Sequence, residues 1–122
     1  MKFCWCTIMV DNLEESVKFY QDVVGLPFCR RLDPSPGVEI AFMCDDGETQ
    51  IELIHNEANK EGCIGQGIFL AFEIDSVSEK MEELARLGIA IDSGPFRPNP
   101  YVKFFYILDP NGIKIQLVER FK

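Results

Sequence analysis

The sequence predicts an α+β fold made of two tandem β-α-β-β-β modules. Three observations carry that expectation. A turn feeding an alternating strand occurs twice, as Asp45-Asp46-Gly47-Glu48-Thr49-Gln50-Ile51-Glu52-Leu53 and as Asp109-Pro110-Asn111-Gly112-Ile113-Lys114-Ile115-Gln116-Leu117. Asp45 and Asp109, Ile51 and Ile115, and Leu53 and Leu117 are each 64 residues apart. A helix-start signal recurs at the same offset, Asn12 with Glu15 and Ser76 with Glu79, each pair having the spacing of a capping box. Between the copies lies a polar, glycine-rich stretch, Glu57 to Gly67.

Taken in order, Phe3 to Val10 alternates as a strand whose two faces are both largely apolar, so cover on both sides is expected. Leu13, Val17, Tyr20 and Val24 form one helical stripe, and Gly25 stands where a left-handed cap belongs. A short strand is expected near Leu26–Leu32, then a turn at Asp33-Pro34-Ser35-Pro36-Gly37, then strands at Val38–Cys44 and Thr49–His55. After the linker the order repeats: strand Ile68–Ile74, a helix with the stripe Val77, Met81, Leu84 and the stop Gly88, and a short strand at Ile89–Asp92. A proline-rich segment, Ser93 to Tyr101, precedes the closing hairpin Tyr101–Leu108 and Ile113–Arg120. The offset slips by one residue at Gly25/Gly88 and recovers by Asp45/Asp109. The expected boundaries are a first module at 1–56, a linker at 57–67 and a second module at 68–122, together one domain. Two copies of one unit tend to assemble about a pseudo-twofold axis.

Composition narrows the function. With 122 residues, 47% of them apolar, the chain has enough apolar material for a core without disulfides or a structural metal. A net charge of −8 argues against nucleic acid or an anionic membrane as partner. Five cysteines without framework spacing fit thiols in a reducing compartment, and the first ten residues lack a signal-peptide pattern. A cytoplasmic location is expected.

With the repeat in place, the chain resembles the vicinal oxygen chelate superfamily, which includes glyoxalase I, extradiol dioxygenases, methylmalonyl-CoA epimerase and bleomycin-resistance proteins. The matching residues are Val10-Asp11-Asn12-Leu13-Glu14-Glu15-Ser16 with Phe19-Tyr20 and Gly25-Leu26, then Ile51-Glu52-Leu53, and Asp109-Pro110-Asn111-Gly112 through Ile115-Gln116-Leu117. The resemblance implies paired modules whose curved mixed sheets form a cup with the helices outside, and usually a homodimer. It does not fix a reaction, because one fold hosts many chemistries. In metal-using members four positions carry the ion, and they fall here on Trp5, Glu52, Phe69 and Gln116. Indole and phenyl rings offer a cation no lone pair, and a carboxylate plus an amide fall short of the three protein ligands a catalytic site supplies. The chain is therefore expected to be a member without the usual metal ligands, and to use no cofactor. The only histidine, His55, lies three residues past Glu52 and should point to the other face of its strand.

Each candidate has a functional and a plain reading. Trp5 and Phe69 are aromatic walls for a flat or hydrophobic ligand, or rings that fill the cup. Glu52, facing an apolar cup, suits a general base with Gln116 orienting a substrate oxygen; the plainer expectation is a carboxylate neutralised by Lys or Arg, with Lys114 on the same face as Gln116. Cys4 and Cys6 read as small buried hydrophobes rather than metal ligands. Arg30-Arg31 meets an anion at the mouth of the cup, or is solvated surface. Ser93–Tyr101 is a stiff lid, or simply a loop. The leading functional expectation is metal-independent binding of a small hydrophobic or planar ligand, as in bleomycin-resistance proteins. The alternative is a metal-independent isomerase, epimerase or lyase with Glu52 as base. A metalloenzyme with rearranged ligands comes third.

Overall fold

The computed structural model describes residues 3–44, 49–58 and 68–122. The chain divides into two compact units, residues 1–64 and 65–122, each with a four-stranded mixed sheet and a helix. The Asp45–Glu48 turn and most of the expected linker lie outside the described residues.

Unit one contains β1 (Trp5–Met9), α1 (Leu13–Phe19), a π turn (Tyr20–Val24), β2 (Phe28–Ser35), β3 (Val38–Cys44) and β4 (Gln50–Asn56). Its strand order is β1-β4-β3-β2, with β1 parallel to β4 and the other pairs antiparallel. Asn12 caps α1 by accepting the Glu15 N–H at 3.0 Å. From α1, Leu13 and Phe19 are buried, and the helix packs on β3 and β4, whose Ala41, Met43, Ile51 and Leu53 are buried too. Burying each large side chain in such a layer contributes about 1.5–3 kcal/mol. The opposite face of this sheet carries the exposed Trp5 and Thr7. Cover on both sides of β1 was the expectation; the helix covers only the Cys6–Ile8 side, because period-two alternation turns Trp5 and Thr7 away from it.

Unit two contains β5 (Phe69–Glu73), α2 (Val77–Arg86), β6 (Ser93–Asn99), β7 (Val102–Leu108) and β8 (Lys114–Arg120), in the order β5-β8-β7-β6. The Ser76 hydroxyl accepts the Glu79 N–H at 3.2 Å, and Glu119 from β8 accepts the Val77 N–H at 2.7 Å, so sheet and helix end share a cap. Val77 and Leu84 are fully buried, as are Phe105 and Ile107 of β7 and Ile115 of β8. In the closing turn, Asp109 Oδ1 accepts the N–H groups of Asn111 and Ile113, both at 2.8 Å, which satisfies two turn donors and explains the Asp-Pro-Asn-Gly signature.

The one-residue slip in the repeat has a structural cause. In unit two the helix closes with the Ile89 N–H donated to Leu84 O, five residues back. In unit one the corresponding bond runs from Leu26 to Tyr20, six residues back, across the π turn. The extra residue of unit one is absorbed as a widened helical turn. Unit two regains it in β6, where the pairing with β7 shifts between Ser93 and Phe96, so that Phe96 opposite Phe104 matches Leu32 opposite Ile40.

Two sequence expectations need correction. The segment Ile89–Asp92 is not a strand; the edge strand is β6, Ser93–Asn99, which had been expected as a loop or lid. Its two prolines, Pro95 and Pro98, are compatible with an edge position, where the missing N–H groups need no ladder partner. In unit one, β2 runs on through Asp33 and Pro34 to Ser35, and the turn tightens to Pro36-Gly37.

No helix among the described residues is long and apolar enough to cross a membrane. Among the described residues Gly94 is the least replaceable glycine: its φ is +105°, and an added Cβ would come within 2.9 Å of the Phe105 Cβ. Gly94→Ala should destabilise the protein by about 1–3 kcal/mol or more, read as a lower urea midpoint. An unchanged midpoint would show that β6 adjusts freely against β7.

Candidate functional site

Pairing register defines the helix-free face of each sheet. In unit one Thr7 lies beside Glu52, Glu52 opposes Phe42, and Phe42 opposes Arg30. One row thus crosses all four strands: Thr7, Glu52, Phe42, Arg30. Trp5 sits one step along β1, beside Gln50. Its ring meets Phe42 edge-on, with centroids 5.7 Å apart and planes at 81°, the arrangement aromatic quadrupoles favour. The Arg30 guanidinium carbon lies 4.1 Å from the Phe42 centroid. Those two neighbours explain why Phe42 is buried on an otherwise open face, while Trp5 keeps 48% of its surface exposed.

Glu52 is the acid of this row. The Thr7 hydroxyl donates to Glu52 Oε1 at 2.6 Å, a distance typical of O–H to a carboxylate. Among the described residues of the unit, no Lys or Arg reaches Glu52 at ion-pair distance, and Oε2 has no hydrogen-bond donor. The expected neutralising partner, Lys114, is engaged with Asp92. Gln50 adds a buried amide oxygen without a partner among the described residues.

The basic pair divides between faces, as neighbours on a strand must. Arg31 turns toward α1 and bridges Glu14 with Asp33 and Glu39. Its hydrogen bond to Glu14 raises its pKa above the ordinary arginine value, against an opposing desolvation effect and with help from the charges of Asp33, Glu39 and Glu14. Arg30 alone belongs to the open face. His55 lies in the alternate set from Glu52, opposite Glu39, with Nδ1 3.2 Å from Val10 O. Cys4 is exposed and Cys6 half-buried, so Cys4 is not the buried hydrophobe that the sequence led one to expect.

Unit two repeats the row with different chemistry. Ala71, Gln116, Tyr106 and Ser93 occupy the places of Thr7, Glu52, Phe42 and Arg30. Gln116 Nε2 donates to the Tyr106 hydroxyl at 3.3 Å. Phe69, half exposed, packs edge-on against Tyr106 with centroids 5.3 Å apart, and Phe96 and Phe104 extend the array.

Trp5 and Glu52 therefore share one face, and Phe69 and Gln116 share another. As donors for a divalent ion these residues do not fit: the two rings provide no lone pair, leaving one carboxylate and one amide. Among the described residues, no group of three or more His, Cys, Asp or Glu side chains is placed to hold a metal ion.

Residues 2–117 match the Glyoxalase/Bleomycin resistance protein/Dioxygenase superfamily. The chain belongs to this superfamily. It is 32% identical to a lactoylglutathione lyase of Neisseria meningitidis, over 98% of this chain and 91% of that protein. It is 29% identical to a probable lactoylglutathione lyase of Synechocystis, over 92% and 90%. Its fold is similar to that of TnmS3, an antibiotic binding protein from Streptomyces, with a TM-score of 0.78, 20% identity and coverage of 99% and 97%. The trypanothione-dependent glyoxalase I of Leishmania major gives a TM-score of 0.80 at 22% identity, covering 98% of this chain and 86% of that one. At those identities the two structures speak for the fold alone.

Thr7, Phe42, Tyr106 and Arg30's separate role were not legible from motifs. The signal that could have found them is the register implied by the repeat, which places each opposite a residue already singled out. As the single tryptophan, Trp5 reports on its face directly. Its emission should be strongly quenched by acrylamide; a blue-shifted, protected indole would mean that the face is covered in solution.

Proposed function

We propose that this superfamily member binds a small hydrophobic or planar ligand without a metal ion, using the aromatic faces of its sheets. The observation that carries the reading is the pair of half-exposed rings, Trp5 on Phe42 and Phe69 on Tyr106, at the positions where the resemblance puts metal ligands. Large aromatic surface left open on a sheet is the material of apolar binding sites. The Gln50 oxygen beside Trp5, buried and without a partner among the described residues, supplies an acceptor for a ligand N–H or O–H. TnmS3, which shares this fold, is an antibiotic binding protein, so the fold is compatible with such a role. The family's frequent dimers and the framework-free cysteines support a homodimer acting in a reducing cytoplasm.

Lactoylglutathione lyase is the name the 32% identical relative carries. The donor chemistry of Trp5, Glu52, Phe69 and Gln116 weighs against that activity here. Saturable quenching of Trp5 emission by planar aromatic compounds is expected, unchanged by chelators. Equilibrium dialysis with nickel, zinc and iron should give no stoichiometric uptake. Stoichiometric metal together with lactoylglutathione lyase turnover would overturn the reading.

A second reading rests on the Thr7–Glu52 hydrogen bond. It holds one carboxylate oxygen and leaves the other without a donor among the described residues, the arrangement a general base needs in an isomerase, epimerase or lyase. For any proton-transfer activity found in this chain, Glu52→Gln should cut kcat by about 100-fold or more. Unchanged turnover would remove Glu52 from the chemistry and leave binding alone.

A further inference from the structure

The open face of unit two holds a cation with unused hydrogen-bonding capacity. Lys114 Nζ lies 5.4 Å from the Phe69 centroid and 5.3 Å from that of Tyr106. Its carboxylate neighbour, Asp92 Oδ2, is 3.8 Å away, and the lysine side chain is 42% exposed. An ammonium has three donors, and 3.8 Å is too long for an N–H···O hydrogen bond. Among the described residues, none of the three donors has a protein acceptor at hydrogen-bonding distance. Ring quadrupoles hold the charge in place without consuming its N–H groups.

The surroundings provide the rest of a site. Tyr106 lies between Phe69 and Phe96, at 5.3 and 6.3 Å between centroids, and both flanking rings are about half exposed. Leu108, also exposed, extends the platform opposite Lys114 on β7. The Tyr106 oxygen accepts from Gln116 Nε2, which leaves its own proton available to an acceptor. Lys114 and Tyr106 thus present donors beside a flat apolar surface.

We propose that this face binds a planar aromatic anion. Its rings lie against Phe69 and Phe96, and its acidic group takes hydrogen bonds from Lys114 Nζ and the Tyr106 hydroxyl. This rests on the ligand-binding reading above and adds the sign of the ligand's charge. The competing explanation is that Lys114 only lays its aliphatic stem over the rings, in which case ligand charge would be immaterial.

The test uses two fluorescent probes of the same skeleton, anilinonaphthalene sulfonate, which is an anion, and neutral N-phenylnaphthylamine, titrated into the full chain. The sulfonate should bind about tenfold more tightly, the size of one charged hydrogen bond. That advantage should vanish in Lys114→Met and survive in Lys114→Arg, with the urea midpoint of both variants unchanged. Equal binding of the two probes, or a sulfonate preference that Lys114→Met leaves intact, would overturn the anion inference while keeping the aromatic site. Binding of neither probe would overturn both.

Discussion

Everything distinctive about this chain follows from covering each sheet with one helix on one side. On the helix side of each sheet, Ala41, Met43, Ile51 and Leu53 are buried in one unit, and their counterparts Phe105, Ile107, Ile115 and Leu117 in the other. Strand alternation then leaves no choice about the other set: Thr7, Glu52, Phe42 and Arg30 in one unit, and Ala71, Gln116, Tyr106 and Ser93 in the other, must share a helix-free face. A one-residue slip would exchange the core with the site. The fully buried Leu53 and Ile115 hold register against that slip.

Within this shared frame the two faces have diverged in kind. Unit one keeps charge, with a carboxylate tethered by Thr7 and a guanidinium stacked on Phe42. Unit two has neither, with an amide at Gln116 and a hydroxyl at Ser93 in their places, and gathers four rings with one lysine above them. The core faces show no such contrast. Packing against a helix demands apolar volume of the right shape in both copies, whereas an open face is constrained mainly by what it meets.

The fold was legible because its signals are local. Asn12 and Ser76 accept the N–H groups of Glu15 and Glu79 as the capping pattern implies, and Gly25 and Gly88 take left-handed φ values of 89° and 76°. Where local pattern failed, a non-local bond had decided the matter. Ser93–Asn99, with two prolines and a third just after it, looks like a loop until β7 is present to pair with Ser93, Phe96 and Asn99. The same holds at the candidate site. Glu52 and Gln116 stand out because they match each other across the repeat and fall where the resemblance puts metal ligands, but Thr7 and Tyr106 gain meaning only as their hydrogen-bond partners.

By itself, then, the sequence determined the element order, the repeat, the parity that puts His55 away from Glu52, and the aromatic character of positions 5 and 69, whose rings offer no lone pair. These are properties of spacing and side-chain chemistry, which survive without coordinates. Only the tertiary structure decided that Arg30 stacks on Phe42 while Arg31 ties α1 to the sheet, and that Lys114 lies over Phe69 and Tyr106 beside Asp92. It also showed that the slip in the repeat is a π turn answered by a shift in β6. The reason is reach: long side chains and register shifts take their positions from residues dozens of places away, and no window of sequence contains both partners.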